Sequence, residues 1–194
     1  YDWYNCGWYS TLPKVDIKPA PASALRIFAP STVKTDSAFS VRVTAVDDFD
    51  SRAFPYYTGS VILEPVSGVT GLPAQLNYIS TDESTRVINN VRITEPGIYR
   101  ITGRLSDGSV TFESNPVVVR DENITPIYWG LLHGHDWYSE GWGDGVWNYF
   151  KFGKEVSGLD FLGISDHRGT VPKTSQVSGR LYAYRNGVVI NGVD

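Results

Sequence analysis

Methionine is absent from the whole chain, position 1 included. The sequence is therefore expected to begin after processing or at an arbitrary point, and no signal peptide is recognisable at its start. The single cysteine, Cys6, excludes an internal disulfide, so thiol content does not report the compartment. Cys6 is read as a partly buried small residue in an aromatic segment. No apolar run approaches the roughly eighteen residues of a membrane span, which excludes a transmembrane helix. Basic residues are not in excess. With 17 Lys and Arg against 21 Asp and Glu the net charge is −4, and the clustered positive surface of a general nucleic-acid binder is excluded. No G-x-S-x-G elbow occurs, which removes the usual setting of a serine nucleophile. Histidine is scarce too, at three in 194 residues, and the placement of those three is the most informative feature of the chain.

What is present supports a packed core, since 41% of the residues are hydrophobic. Residues 1–23 form an aromatic-rich segment followed by a connector carrying Pro13, Pro19 and Pro21. The aromatic cluster is expected to dock against a domain surface. From 24 to 120 the pattern alternates with period two. Alternation is visible in Leu25–Phe28, Phe39–Val46, Val87–Ile93 and Ile98–Ile101, between turn signals at Pro30, Asp47-Asp48, Gly68, Pro96-Gly97 and Asp107-Gly108. Val117–Val119 reads as the closing strand. Short strands at this spacing predict a β-sandwich. Asp47, Asp48 and Asp50 lack the full register of a calcium loop and are read as a solvated turn.

The remaining residues, 121–194, change character. His133 and His135 stand two apart, so in an extended segment they project to one side and can grip one ion, with Gly134 adding no bulk between them. A helix is expected next, with Asp144 as N-cap, with Val146, Tyr149, Phe150 and Val156 near one face, and with Gly158 as the C-cap glycine. Leu159–Ile164 then forms a second strand that ends in Ser165, Asp166 and His167. A strand, helix and strand of this kind pairs the strands in parallel and brings their carboxyl ends to one rim. His133, His135 and His167 are therefore expected to converge, with Glu140 and Asp166 beside them. Mixed imidazole and carboxylate ligands suit zinc, manganese or iron better than calcium. Beyond them, Arg180–Ile190 around Asn186-Gly187 carries a strong hairpin signal.

The stretch from Tyr128 to His167 resembles the start of a PHP (polymerase and histidinol phosphatase) domain. It is most similar to a PHP-like family in which an immunoglobulin-like β-domain precedes a "WGDLHGHT...SDG...GLDFLAITDH" pattern. The resemblance implies that His133 and His135 are the HxH metal ligands, that Glu140 is the acidic ligand and that His167 is the histidine of the second motif. Asp166 falls on the aspartate before it, and is carried over as the catalytic carboxylate. The implied fold is an immunoglobulin-like β-sandwich followed by the first β/α units of an incomplete PHP-type β/α barrel. The implied activity is a metal-dependent hydrolase of phosphoester type with a divalent transition metal and a small phosphorylated substrate. The same resemblance favours export in a bacterium, to the periplasm or the exterior.

Two positions depart from the family pattern. Leu131 replaces the aspartate of "GDLH", removing a carboxylate that would orient a ligand imidazole, and such partners matter about 10–100-fold in affinity or activity. Asp136 replaces a threonine. A PHP barrel also draws later ligands from further strands, and no histidine or cysteine occurs between Arg168 and Asp194. The missing barrel segment is thus expected from further sequence, a partner chain or a second copy. The competing reading is a non-catalytic structural or assembly protein with a degenerate PHP remnant. A third is a small metal-binding module without turnover.

Overall fold

Period-two alternation organises most of the chain, and its clearest instance is the segment that sits at the centre of the first sheet. The computed structural model describes residues 18–123, 125–134, 146–164, 182–185 and 188–191. Within them the protein is mostly β-strand with one α-helix. In chain order the elements are β1 (Ala24–Phe28), β2 (Thr32–Lys34), β3 (Phe39–Val46), β4 (Ser60–Leu63), β5 (Val69–Thr70), β6 (Gln75–Asn77), β7 (Thr85–Ile93) and β8 (Gly97–Tyr99). They continue with β9 (Thr102–Leu105), β10 (Phe112–Glu113), β11 (Val117–Arg120), β12 (Gly130–Leu131), helix α1 (Val146–Glu155), β13 (Phe161–Ile164), β14 (Tyr182–Arg185) and β15 (Val188–Asn191).

The strands before Asp121 form three sheets ordered β1-β3-β7-β5, β10-β9-β4-β6 and β2-β11-β8. In β3 the odd-numbered Phe39, Val41, Val43 and Ala45 point inward and are buried, while Ser40 and Arg42 face outward. Leu25 and Ile27 of β1, Val61 and Leu63 of β4, Ile88, Val91 and Ile93 of β7, and Val117 and Val119 of β11 join them, so that all three sheets share one hydrophobic core. Pairing is antiparallel between β1 and β3, with Leu25 opposite Ala45 and Ile27 opposite Val43, so the inward sets coincide.

Two expectations are corrected here. The alternating run Ile98–Ile101 is not one strand. Its first half belongs to β8, which pairs with β11, and the chain crosses at Arg100 and Ile101 to β9 in a different sheet. Ile101 is fully buried at the crossing, where its N–H donates to Ser114 Oγ at 3.0 Å. Alternation reports which side chains face inward, not which sheet receives them.

The expectation of a solvated turn holds for Asp48 and Asp50, which are exposed, and fails for Asp47. Asp47 is 2% exposed, and its carboxylate accepts the N–H groups of Ala20, Phe49 and Ser51, each at 2.9 Å. The bond from Ala20 does most to hold its pKa below the usual carboxylate range, reinforced by those from Ser51 and Phe49 and opposed by burial. Asp48 and Asp50 are engaged separately by Ser23 and Arg26. The three carboxylates staple the chain entering β1 to the turn after β3, a use of short acidic side chains that competes with metal binding for the same oxygens.

The strands after Arg120 build a separate sheet ordered β12-β13-β14-β15. β14 and β15 pair antiparallel with Arg185 opposite Val188, and Asn186-Gly187 between them lie outside the described residues. β14 also pairs antiparallel with β13, so the hairpin continues the sheet instead of standing off as a loop insertion.

Candidate metal centre

β12 and β13 run parallel, with Gly130 opposite Phe161 and Leu131 opposite Leu162. Parallel strands leave a sheet at the same edge. His133 follows β12 after Leu132 and is exposed; Ser165, Asp166 and His167 follow directly on β13. Of the residues expected to form the centre, His133 is described. His135, Glu140, Asp166 and His167 lie outside the described residues, as do Cys6, the N-terminal aromatic cluster and the N-cap Asp144. Among the described residues no three His, Cys, Asp or Glu side chains converge on one point. A ligand set of three imidazoles and a carboxylate fits a transition ion by donor type.

The first strand of this unit is short, Gly130–Leu131. Residues before Gly130 are held by other bonds: Ile127 N–H donates to Thr32 Oγ1 at 3.2 Å, and the Trp129 indole N–H donates to Ser31 Oγ at 2.8 Å. Trp129 N–H donates to Asp160 Oδ2 at 2.9 Å, and Asp160 N–H returns to Trp129 O at 2.7 Å. Asp160 thus closes the start of β13 onto the start of β12. Leu131 pairs with Leu162 yet remains 46% exposed.

Helix α1 packs on β13. Phe150 and Val156 are buried as the apolar face requires, and Gly153 passes so close to β13 that a Cβ there would come within 2.5 Å of Leu162 Cδ2. The Tyr149 hydroxyl donates to Gly163 O at 3.3 Å. That same hydroxyl lies against Gly134, where any Cβ would overlap it. The glycine between the two histidines therefore does more than spare bulk: it lets the helix touch the strand tip. After Glu155 the helix ends, with Val156 and Ser157 N–H both returning to Phe152 O and Leu159 N–H to Gly153 O. Gly158 takes the left-handed conformation at φ +66° that reverses the chain, close to its expected capping role.

The last turn of α1 rests on the outer face of the first sheet. A helix leaves its final carbonyls without internal partners, and its C-terminal end carries partial negative charge. Here Arg42 Nη1 donates to Lys154 O at 2.9 Å and Thr44 Oγ1 donates to Glu155 O at 2.6 Å. Thr44 belongs to the outward set of β3 and is nevertheless 0% exposed, because the helix covers it. Arg52 Nη1 bridges Glu155 Oε2 at 2.8 Å and Glu83 Oε2 at 3.1 Å, and Lys151 also pairs with Glu83. The hydrogen bond from Lys151 lowers the pKa of Glu83, whereas burial raises that of Glu155 against the pull of Arg52. Lys154 is pushed down by burial, then by the charge of Arg42. Nothing in the sequence pattern marks Arg42, Thr44, Arg52 or Glu83 for this role. In β3 an outward threonine looks like any solvent-facing residue, and its partner lies more than a hundred positions away in the chain.

A cleft of about 620 Å³ opens beside this contact, lined by Phe28, Phe39, Ser40, Arg42, Lys154 and Asp160 among others. It lies on the sheet face and does not include His133.

No family model matches the chain. It is similar to an uncharacterized protein of Chlamydia muridarum, at 27% identity over 164 residues that cover 82% of this chain. An uncharacterized protein of Chlamydia trachomatis serovar D matches with the same identity and coverage. The chain spans 26% of the length of each of these relatives.

Proposed function

We propose that the chain carries an immunoglobulin-like β-sandwich joined to the opening β/α units of a PHP-like domain, and that the whole protein is a metal-dependent hydrolase of phosphoester type. The observation that carries the reading is the parallel pairing of β12 with β13 across helix α1. It directs the chain carrying His133 and the chain carrying Asp166 and His167 out of the sheet at one edge. His133, His135 and His167 would hold a zinc, manganese or iron ion as neutral imidazoles, with Glu140 as the anionic ligand. When bound, such an ion lowers the pKa of a water and polarises a phosphoryl oxygen. Asp166, next to the ligand His167, would orient the nucleophile or take its proton. Tyr149 keeps the tip at Gly134 against α1.

A second reading is favoured by two particular observations. β13 has an antiparallel strand, β14, on its other side, whereas a β/α barrel places a parallel strand there. Leu131 stands where the pattern has a carboxylate. Both suit a binding or assembly protein that keeps a metal or none at all.

Metal analysis separates these readings. The purified protein is expected to carry zinc, manganese or iron, and the His133→Ala, His135→Ala double variant to lose it. Metal together with metal-dependent hydrolysis of p-nitrophenyl phosphate supports the enzyme. Metal without hydrolysis supports a binding module, and equal trace metal in wild type and variant removes the ligand assignment.

A further inference from the structure

We infer that the outer face of the β1-β3-β7 sheet is a built seat that sets the orientation of the strand-helix-strand unit, with Arg42, Thr44 and Arg52 as its anchoring residues. The inference does not depend on whether that unit binds a metal.

Three independent observations meet at this seat. The first is chemical matching. The end of α1 presents bare carbonyls, and the sheet presents to them a guanidinium and a hydroxyl, each bonded to a different carbonyl. Loose association of a helix with a sheet needs only apolar contact; satisfying successive carbonyls requires one axial position and one rotation of the helix. The second is burial. Thr44 Oγ1 also meets Thr85 Oγ1 at 3.1 Å, so on the outward face of β3 and β7 the fully buried Thr44 is joined to the half-buried Thr85 beneath the helix end.

The third is backbone conformation. Glu83 and Ser84 are consecutive non-glycine residues at positive φ, 49° and 65°, a combination that persists only where surroundings hold it. Ser84 is held by donating to Ala53 O and accepting Tyr57 N–H. This places the Glu83 carboxylate between Arg52 of the turn and Lys151 of the helix. Arg52 in turn joins Glu83 to Glu155. The groups facing one another across the contact are therefore two carboxylates, from Glu83 and Glu155, and the cations of Arg42, Arg52, Lys151 and Lys154. Each carboxylate has a basic partner on the opposite region.

The seat also constrains the chain beyond the helix. From Glu155 the backbone makes one tight reversal at Gly158, whose position against Phe28 of β1 leaves no room for a side chain, and enters β13. Fixing the helix end therefore fixes the start of β13 against β1 as well. The β-domain acts as the reference frame for the rim.

Hydrogen–deuterium exchange of the full chain tests this. In the Arg42→Gln, Thr44→Val double variant, amides of α1 and β13 are expected to exchange about tenfold faster, the effect of losing one or two carbonyl caps on local opening, while core amides of β4 and β11 keep their rates. Ser40→Ala, on the same face but outside the contact, should change neither. Wild-type rates in α1 and β13 of the double variant would overturn the inference. So would equal acceleration of the β4 and β11 amides, which would make the pair part of the sheet's own stability. Charge exchange gives the second arm: Arg52→Glu should speed exchange in α1, and adding Glu155→Arg should restore it. Failure of that restoration would show that the carboxylates and Arg52 are not a specific contact. Absence of metal from a protein whose variants exchange as expected would instead count against the ligand assignment alone.

Discussion

The two regions of this chain bury their apolar residues differently. From Ala24 to Arg120 the inward residues of three sheets close on one another, and Val41, Val43, Val61, Val91 and Val117 are fully covered. From Ile127 to Leu132 the apolar residues lie at the surface: Trp129 and Leu132 are each 62% exposed, on and beside the edge strand β12. The first region contains its own core. Among the described residues of the second, Phe150, Val156 and Leu162 are buried at α1 and β13, and the last carbonyls of α1 are bonded by Arg42 and Thr44 of the first. The polar end of one region is thus satisfied by its neighbour.

The comparison is sharpest where one substitution is made in both regions. Leu63→Ala, at a leucine that is 3% exposed, is expected to lower unfolding free energy by about 2–5 kcal/mol in urea denaturation, as a cavity in a closed core does. A smaller cost would mean that the core collapses around the change and is looser than its burial implies.

Asp47→Asn should cost about 1–3 kcal/mol, because an amide cannot accept from three backbone donors as the carboxylate does. The sign with pH follows from the lowered folded pKa. The carboxylate's contribution is complete above its unfolded value of ~3.9 and disappears as pH falls through the folded value, so the deficit of the variant should be constant near neutrality and shrink in acid. A deficit that grows on acidification would contradict the staple. The smallest effect is expected for Leu132→Ala, within about 0.5 kcal/mol for an exposed side chain. If it costs as much as Leu63→Ala, then Leu132 is covered in solution and the contrast between the regions fails.

How far the fold was legible in the sequence depends on the same division. β1, β3, β7 and β11 lie where alternation places them, because each has one face in the core and the period-two signal is strong. The helix falls where Phe150 predicts an apolar face, and β14 and β15 pair antiparallel on either side of the hairpin signal. What local pattern does not contain is destination. Ile98 and Ile101 alternate as neighbours in one strand would, yet enter different sheets. Asp47 reads as a surface turn because its partners, Ala20 above all, are backbone groups with no sequence signature. Thr44 reads as solvent-facing because the helix that covers it comes from the far end of the chain. In the candidate centre β12 and β13 pair in parallel as expected, while the bonding of the helix to Arg42 and Arg52 had no local trace.

The contact of Tyr149 with Gly134 links two positions that any change of sequence must treat together. With Tyr149 in its present rotamer a methyl group at position 134 would overlap the phenol, so a side chain there requires the tyrosine to swing away. A chain of this architecture that carries alanine or serine between its two histidines gives up the contact between helix and strand tip or shortens residue 149. Glycine at one position and a long aromatic at the other are thus coupled, and a redesign of the histidine pair would have to include the helix.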